Sequence, residues 1–174
     1  LAVPREVVMS ARPTPPRTGA QLPSHRLATT VGALVVPLAV LGAAVGLALS
    51  WRDRLPDPVA SSWGSAGTVT GTSSLAATLV AMAAPTAAIA LASWLVGMLL
   101  GRSAALRRTT AGFATGVAVF VCGLVVGSLA RQRGLADAHA APGPGALAAA
   151  ALAAALVLGA VVAAAMPGEA HVPA

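Results

Sequence analysis

Few side chains in this sequence can hold a metal, relay a proton or act as a nucleophile, and almost none of them stand together. The set comprises eleven Arg and no Lys, five Asp or Glu, three His and a single Cys. His25, His139 and His171 are far apart, and no ligand spacing surrounds any of them. Asp137 and His139 can meet Asp53 or Asp57 only if two separate loops converge at one end of the molecule. That arrangement would make a mixed carboxylate and imidazole cluster, but solvated loop charges are the simpler reading. Cys122 has no disulfide partner in the chain and reads as a small buried hydrophobe. No catalytic residue, metal or cofactor is expected. The chain reads as non-enzymatic.

The elements that carry these residues explain why they are sparse. Four stretches, residues 29–50, 75–100, 110–130 and 146–166, are long, apolar and free of any Arg, Asp, Glu or His. Each reaches the roughly 20 residues that an α-helix needs to cross a hydrocarbon core about 30 Å thick. Mean hydropathy is +0.82, with 57% hydrophobic and 9% charged residues. Soluble domains carry about 25% charged residues, so this composition excludes one. The expected fold is all-α and integral to a membrane: a four-helix transmembrane bundle over residues 29–166, with the lipid bilayer as its first partner. Ionisable groups within spans usually mark proton relays, ion pathways or voltage sensors. Their absence here argues against those functions. An intramembrane protease would need an activated nucleophile or a carboxylate dyad, and neither is present.

The flanks are read from charge and proline. Residues 1–28 hold five prolines and four arginines with little apolar surface, which predicts a disordered basic tail. Met9-Ser10-Ala11 reads as a natural start, with Leu1–Val8 upstream of it. The first span is too long for a signal-peptide apolar region, so an uncleaved anchor is expected. Residues 167–174 form a short tail. The net charge of +6 sits beside apolar spans, which indicates topology and headgroup contact and not nucleic acid. With the N-terminus cytoplasmic, the inside segments hold Arg5, Arg12, Arg17, Arg26, Arg102, Arg107 and Arg108, and the outside loops hold Arg52, Arg54, Arg131 and Arg133. This excess places both termini on the cytoplasmic side of the plasma membrane.

Within the spans, Gly42/Gly46, Gly112/Gly116 and Gly123/Gly127 are each four apart, so each pair lies on one helix face. Glycine faces allow close backbone approach, and such contacts hold helices together in lipid. They serve within one chain or between copies, so a homo-oligomer is compatible. Pro37 and Pro85 are expected to bend the first two spans, with neighbouring helices satisfying the freed carbonyls.

The loop 51–74 is the candidate site. It runs Trp51-Arg52-Asp53-Arg54-Leu55-Pro56-Asp57-Pro58-Val59-Ala60-Ser61-Ser62-Trp63-Gly64-Ser65-Ala66-Gly67-Thr68 before the second span. Two prolines restrict Leu55 and Asp57 to extended backbone, and a loop this long and stiff is more than a connector. Leu55, Pro56, Asp57, Pro58 and Trp63 are the binding candidates, with Trp63 as an aromatic anchor.

Over residues 38–85 the order Leu55-Pro56-Asp57-Pro58-Val59, then Trp63-Gly64 with Gly67, between two spans, resembles the N-terminal domain of unknown function of SdpI-like bacterial membrane proteins. The resemblance implies a membrane protein of the immunity or signal-transducing kind. The family usually places His before the Trp, where this chain has Ser62, and Asp after the last loop glycine, where Thr68-Val69-Thr70-Gly71 has none. Three functions follow. The first is partner or peptide binding through the loop. The others are a permease subunit for an uncharged solute and a structural or regulatory partner assembled through the glycine faces.

Overall fold

The computed structural model describes residues 22–101 and 103–168. Most of the basic tail and the C-terminal residues from 169 onward therefore lie outside the described residues, as does Arg102. Helix α1 (Leu22–Thr30), a π-helical turn (Val31–Val35) and α2 (Val36–Ser50) run on as one rod. A hairpin of β1 (Val59–Trp63) and β2 (Val69–Ser73) follows. Helices α3 (Leu75–Leu99), α4 (Ala104–Gln132) and α5 (Gly145–Ala165) complete the chain. Four helical segments of 26, 25, 29 and 21 residues are long and apolar enough to cross a membrane. At 1.5 Å per residue they reach about 32 to 44 Å. The protein is a mostly helical, multi-pass membrane protein with a small β-hairpin at one end.

The helices extend past the apolar runs. The first begins at Leu22, inside the stretch 1–28 expected to be disordered. Pro23 stands in its first turn, where a missing N–H leaves no bond unmade. Helix α4 begins at Ala104, where the Ser103 hydroxyl accepts from the Leu106 N–H at 3.2 Å, and continues through Arg131 to Gln132. Polar side chains at the membrane surface do not interrupt backbone bonding, so charge marks where a span leaves the apolar layer and not where the helix stops.

Pro37 explains the π turn. The Val36 N–H reaches back five residues to the Val31 carbonyl, so the next acceptor in that register, Gly32, faces Pro37, which has no N–H. The Thr115 hydroxyl of α4 donates to the Gly32 carbonyl at 3.4 Å in a fully buried setting. A neighbouring helix thus supplies the missing donor, as expected for a proline inside a bundle. Helix α3 runs helical through Pro85.

The glycine faces divide sharply. A Cβ built on Gly112 would stand 2.7 Å from the Gly159 carbonyl oxygen of α5, and one on Gly116 would stand 3.3 Å from that of Ala155. Gly127 meets Leu147, and Gly123 meets Ala151 at ordinary contact distance. All four line the seam where α4 and α5 pack, the most extensive helix pair in the protein. Gly42 and Gly46, expected to pack likewise, are exposed with nothing within 4 Å. Among the described residues no helix lies on that face, so the pair makes no close contact there. Its place in the first rod is taken by Gly32, whose Cβ would press on Met166 and Ala111.

The core is built from small side chains. One cluster gathers Ala44, Ala48, Val59, Leu79, Met82, Cys122 and Leu129, reaching from α2 through β1 to α3 and α4. Cys122 is 3% exposed within it, in keeping with a packing role. At the other end Ala33, Ala111 and Met166 pack together, and the Trp94 indole N–H donates to Thr30 Oγ1 at 3.1 Å.

Candidate functional site

The chain leaves α2 through a single 3-10 turn, Arg52–Arg54, and then enters the proline segment. Leu55 packs on the end of the core, Pro56 is half-buried, and Asp57 and Pro58 are exposed with a cis bond between them. Val59 and Ala60 then plunge into the protein, at 1% and 2% exposure. Strands β1 and β2 pair antiparallel from Val59 opposite Ser73 to Trp63 opposite Val69, with irregular register around Ser62. The turn between them closes by the Gly67 N–H donating to Gly64 O (2.9 Å) and the Gly64 N–H to Thr68 O (2.8 Å). Gly67 has φ of +76°, a left-handed conformation that glycine adopts without steric cost.

Two short strands alone are marginal in water. This hairpin is held by Gln132, the last residue of α4, which is completely buried. Its Oε1 accepts from the Ala60 N–H at 2.7 Å, and its Nε2 donates to the Ala60 carbonyl at 3.1 Å. The carboxamide therefore pairs with β1 as a neighbouring strand would, and it covers an edge otherwise open to pairing. Two further ties join the first loop to the segment after α4. The Gly134 N–H donates to Arg54 O at 2.8 Å, and the Arg133 guanidinium stacks 4.5 Å from the Trp51 ring centroid.

Trp63 does not reach out from the loop. It packs with Ala60, Val69 and Leu135 around Ala138 and Ala141, between the hairpin and the α4–α5 connection. Its indole N–H is buried and has no acceptor among the described residues. Such an orphan donor calls for a partner, because an unmet buried N–H costs about 1–3 kcal/mol. The same side chain lines a cavity of about 330 Å³, together with Ser61, Ser62, Thr78, Ser128 and Pro144. A second cavity of about 390 Å³ shares Ser61, Thr78 and Val125 and extends towards Met82 and Val121. The two make one crevice under the hairpin, between α3 and α4. Its polar side chains are Ser and Thr hydroxyls; no charged side chain contributes.

The charged residues sit apart from this crevice. Asp137 accepts from the backbone N–H of His139 (2.8 Å) and lies 2.9 Å from its ring Nδ1. These two hydrogen bonds hold the Asp137 carboxyl below the usual aspartate range. Asp53 pairs with its neighbour Arg52 at 3.3 Å on the surface. Among the described residues no three His, Cys, Asp or Glu side chains converge, so Asp137 and His139 do not join Asp53 or Asp57.

The five candidates drawn from the loop thus serve different places. Leu55 is part of the bundle end, Pro56 to Pro58 shape an exposed bend, and Trp63 belongs to the hairpin's contact with the third loop. Gln132 was not among them. The signal was present in the sequence: an uncharged hydrogen-bonding side chain set between Arg131 and Arg133 just past an apolar span. Comparison of the chain with protein-family models, with curated proteins and with solved structures finds no match.

Proposed function

We propose that this is a non-enzymatic, SdpI-like protein of the bacterial plasma membrane that binds a protein or peptide partner, in immunity or signalling, through its hairpin end. One observation carries the reading. The hairpin is clamped by Gln132, and it keeps Ser61 and Ser62 exposed beside the crevice, with Asp57 and Pro58 exposed on the bend that leads into β1. The serine hydroxyls offer an entering peptide both donors and acceptors. A preformed cap avoids most of the ordering cost that a floppy loop would meet on binding. The arginine excess on the opposite segments supports an outward-facing hairpin and cytoplasmic termini.

The uncharged crevice also favours a second reading, passage of a neutral solute between α3 and α4. Host cells in which Trp63 and the stretch 55–58 are replaced together separate the two. Loss of protection or signalling with membrane insertion intact supports partner binding. An unchanged phenotype, with solute flux in purified proteoliposomes, refutes it in favour of transport.

A further inference from the structure

Towards the end of the bundle away from the hairpin, the glycine seam of α4 and α5 floors an apolar groove of about 490 Å³. Phe113 and Phe120, the only phenylalanines in the chain, line one wall and Leu152 and Leu156 the other. Phe113, Leu152 and Leu156 are at least half exposed. The groove follows α4 from Arg108 to Phe120, about 18 Å of helix at 1.5 Å per residue. That is close to half of a hydrocarbon core about 30 Å thick, the depth of one leaflet.

The charged group stands only at its mouth. Arg108 is exposed, and its Nε donates to the Met166 carbonyl at 3.2 Å, which fixes the guanidinium at the end of the groove. Among the described residues this bond uses one of the five donors, and the remainder of the fork suits a phosphate. The aspartates of the described residues, Asp53, Asp57 and Asp137, all lie in the loops at the hairpin end. Among the described residues the groove mouth therefore has no carboxylate.

From the one-leaflet length, the aromatic and leucine walls and the cation at the interface, we infer that the α4–α5 groove is a binding site for one anionic phospholipid. An acyl chain lies between Phe113 and Leu156, and the headgroup phosphate pairs with Arg108. The inference rests on the membrane location of the helices and is independent of what the hairpin binds.

The test is native mass spectrometry of the full chain, released from mixed micelles holding equal amounts of phosphatidylglycerol and phosphatidylcholine. The wild type is expected to retain one phosphatidylglycerol. Arg108→Gln should lower the phosphatidylglycerol preference about fivefold, corresponding to about 1 kcal/mol for one arginine near a lipid surface. Arg108→Lys should keep most of that preference. Ala160 is exposed on the groove wall, so Ala160→Trp should fill the groove from the lipid side and expel lipid whatever its headgroup. Retention of lipid by Ala160→Trp, or an unchanged headgroup preference in Arg108→Gln, would overturn the proposal. A second copy of the chain leaving with the protein in place of lipid would also overturn it.

Discussion

Replacing Gln132 by Leu puts an apolar side chain of similar bulk at the end of α4 and removes both hydrogen bonds to Ala60. The Ala60 N–H and carbonyl lie in a residue only 2% exposed, so water cannot replace the lost partner without the hairpin lifting. Two buried backbone groups left unmet cost about 1–3 kcal/mol each, together about 2–6 kcal/mol. The bundle core does not depend on Gln132, so the penalty falls on local opening of the hairpin and not on global unfolding. At 1.4 kcal/mol per tenfold, the opening equilibrium should rise by at least about 30-fold. Hydrogen exchange followed by mass spectrometry, on protein in nanodiscs, reads this directly. Peptides covering residues 55–75 should lose protection while those from α5 stay unchanged. Gln132→Glu sharpens the test. An ionised carboxylate accepts from the Ala60 N–H but repels the Ala60 carbonyl, whereas a protonated one makes both bonds. Hairpin protection in this variant should therefore be greatest at low pH, where the carboxyl is protonated, and should fall as pH rises. Unchanged exchange at residues 55–75 in Gln132→Leu would refute the clamp.

Gly112→Ile should destabilise the protein by about 1–3 kcal/mol or more, because its Cβ would lie 2.7 Å from the Gly159 carbonyl oxygen, whereas Gly42→Ile should change stability by no more than about 0.5 kcal/mol; thermal unfolding in detergent distinguishes the two sites. Thr115→Val leaves the Gly32 carbonyl without its donor and should cost about 1 kcal/mol, which Thr115→Ser should largely restore in the same assay. Asp137 titrates below its ordinary value of 3.8, so the turn that it caps is stabilised above that value and the stabilisation is lost as pH falls through the lower folded-state pKa. Intrinsic-rate-corrected exchange of the 138–141 amides should therefore be flat from neutral pH down to the ordinary aspartate value. Asp137→Ala should show fast exchange there at every pH.

The four spans were legible because a charge-free run of about 20 residues has few other uses, and the described helices contain each of those runs almost in full. Their ends were not, since Arg107, Arg108 and Arg131 leave the apolar layer without leaving the helix. The hairpin was hidden for a different reason. Val59–Trp63 and Val69–Ser73 are short, rich in Ser, Thr and Gly, and lack a clean alternation of apolar and polar residues. Their pairing is secured by Gln132, about 70 residues away, and no local pattern carries that information. The glycine pairs make the same point. Gly42/Gly46 and Gly112/Gly116 have identical spacing, yet only the second faces a helix that offers a glycine and an alanine in return. Spacing identifies a face that can pack closely; the partner surface decides whether it does. Trp63 stands out in the sequence as an aromatic residue of the loop, but its packing against Ala138 and Ala141 depends on the third loop.

The central proposal is that the hairpin end receives a partner. It is tested most directly by photo-crosslinking from Ser62, which is exposed and lines the crevice next to Trp63. With Ser62 replaced by a photoreactive residue in membranes of the native host, one discrete adduct is expected, which weakens when Trp63 is changed to Ala. Adducts confined to lipid, with the protein inserted and abundant, would contradict the proposal and leave the hairpin as a cap on the bundle.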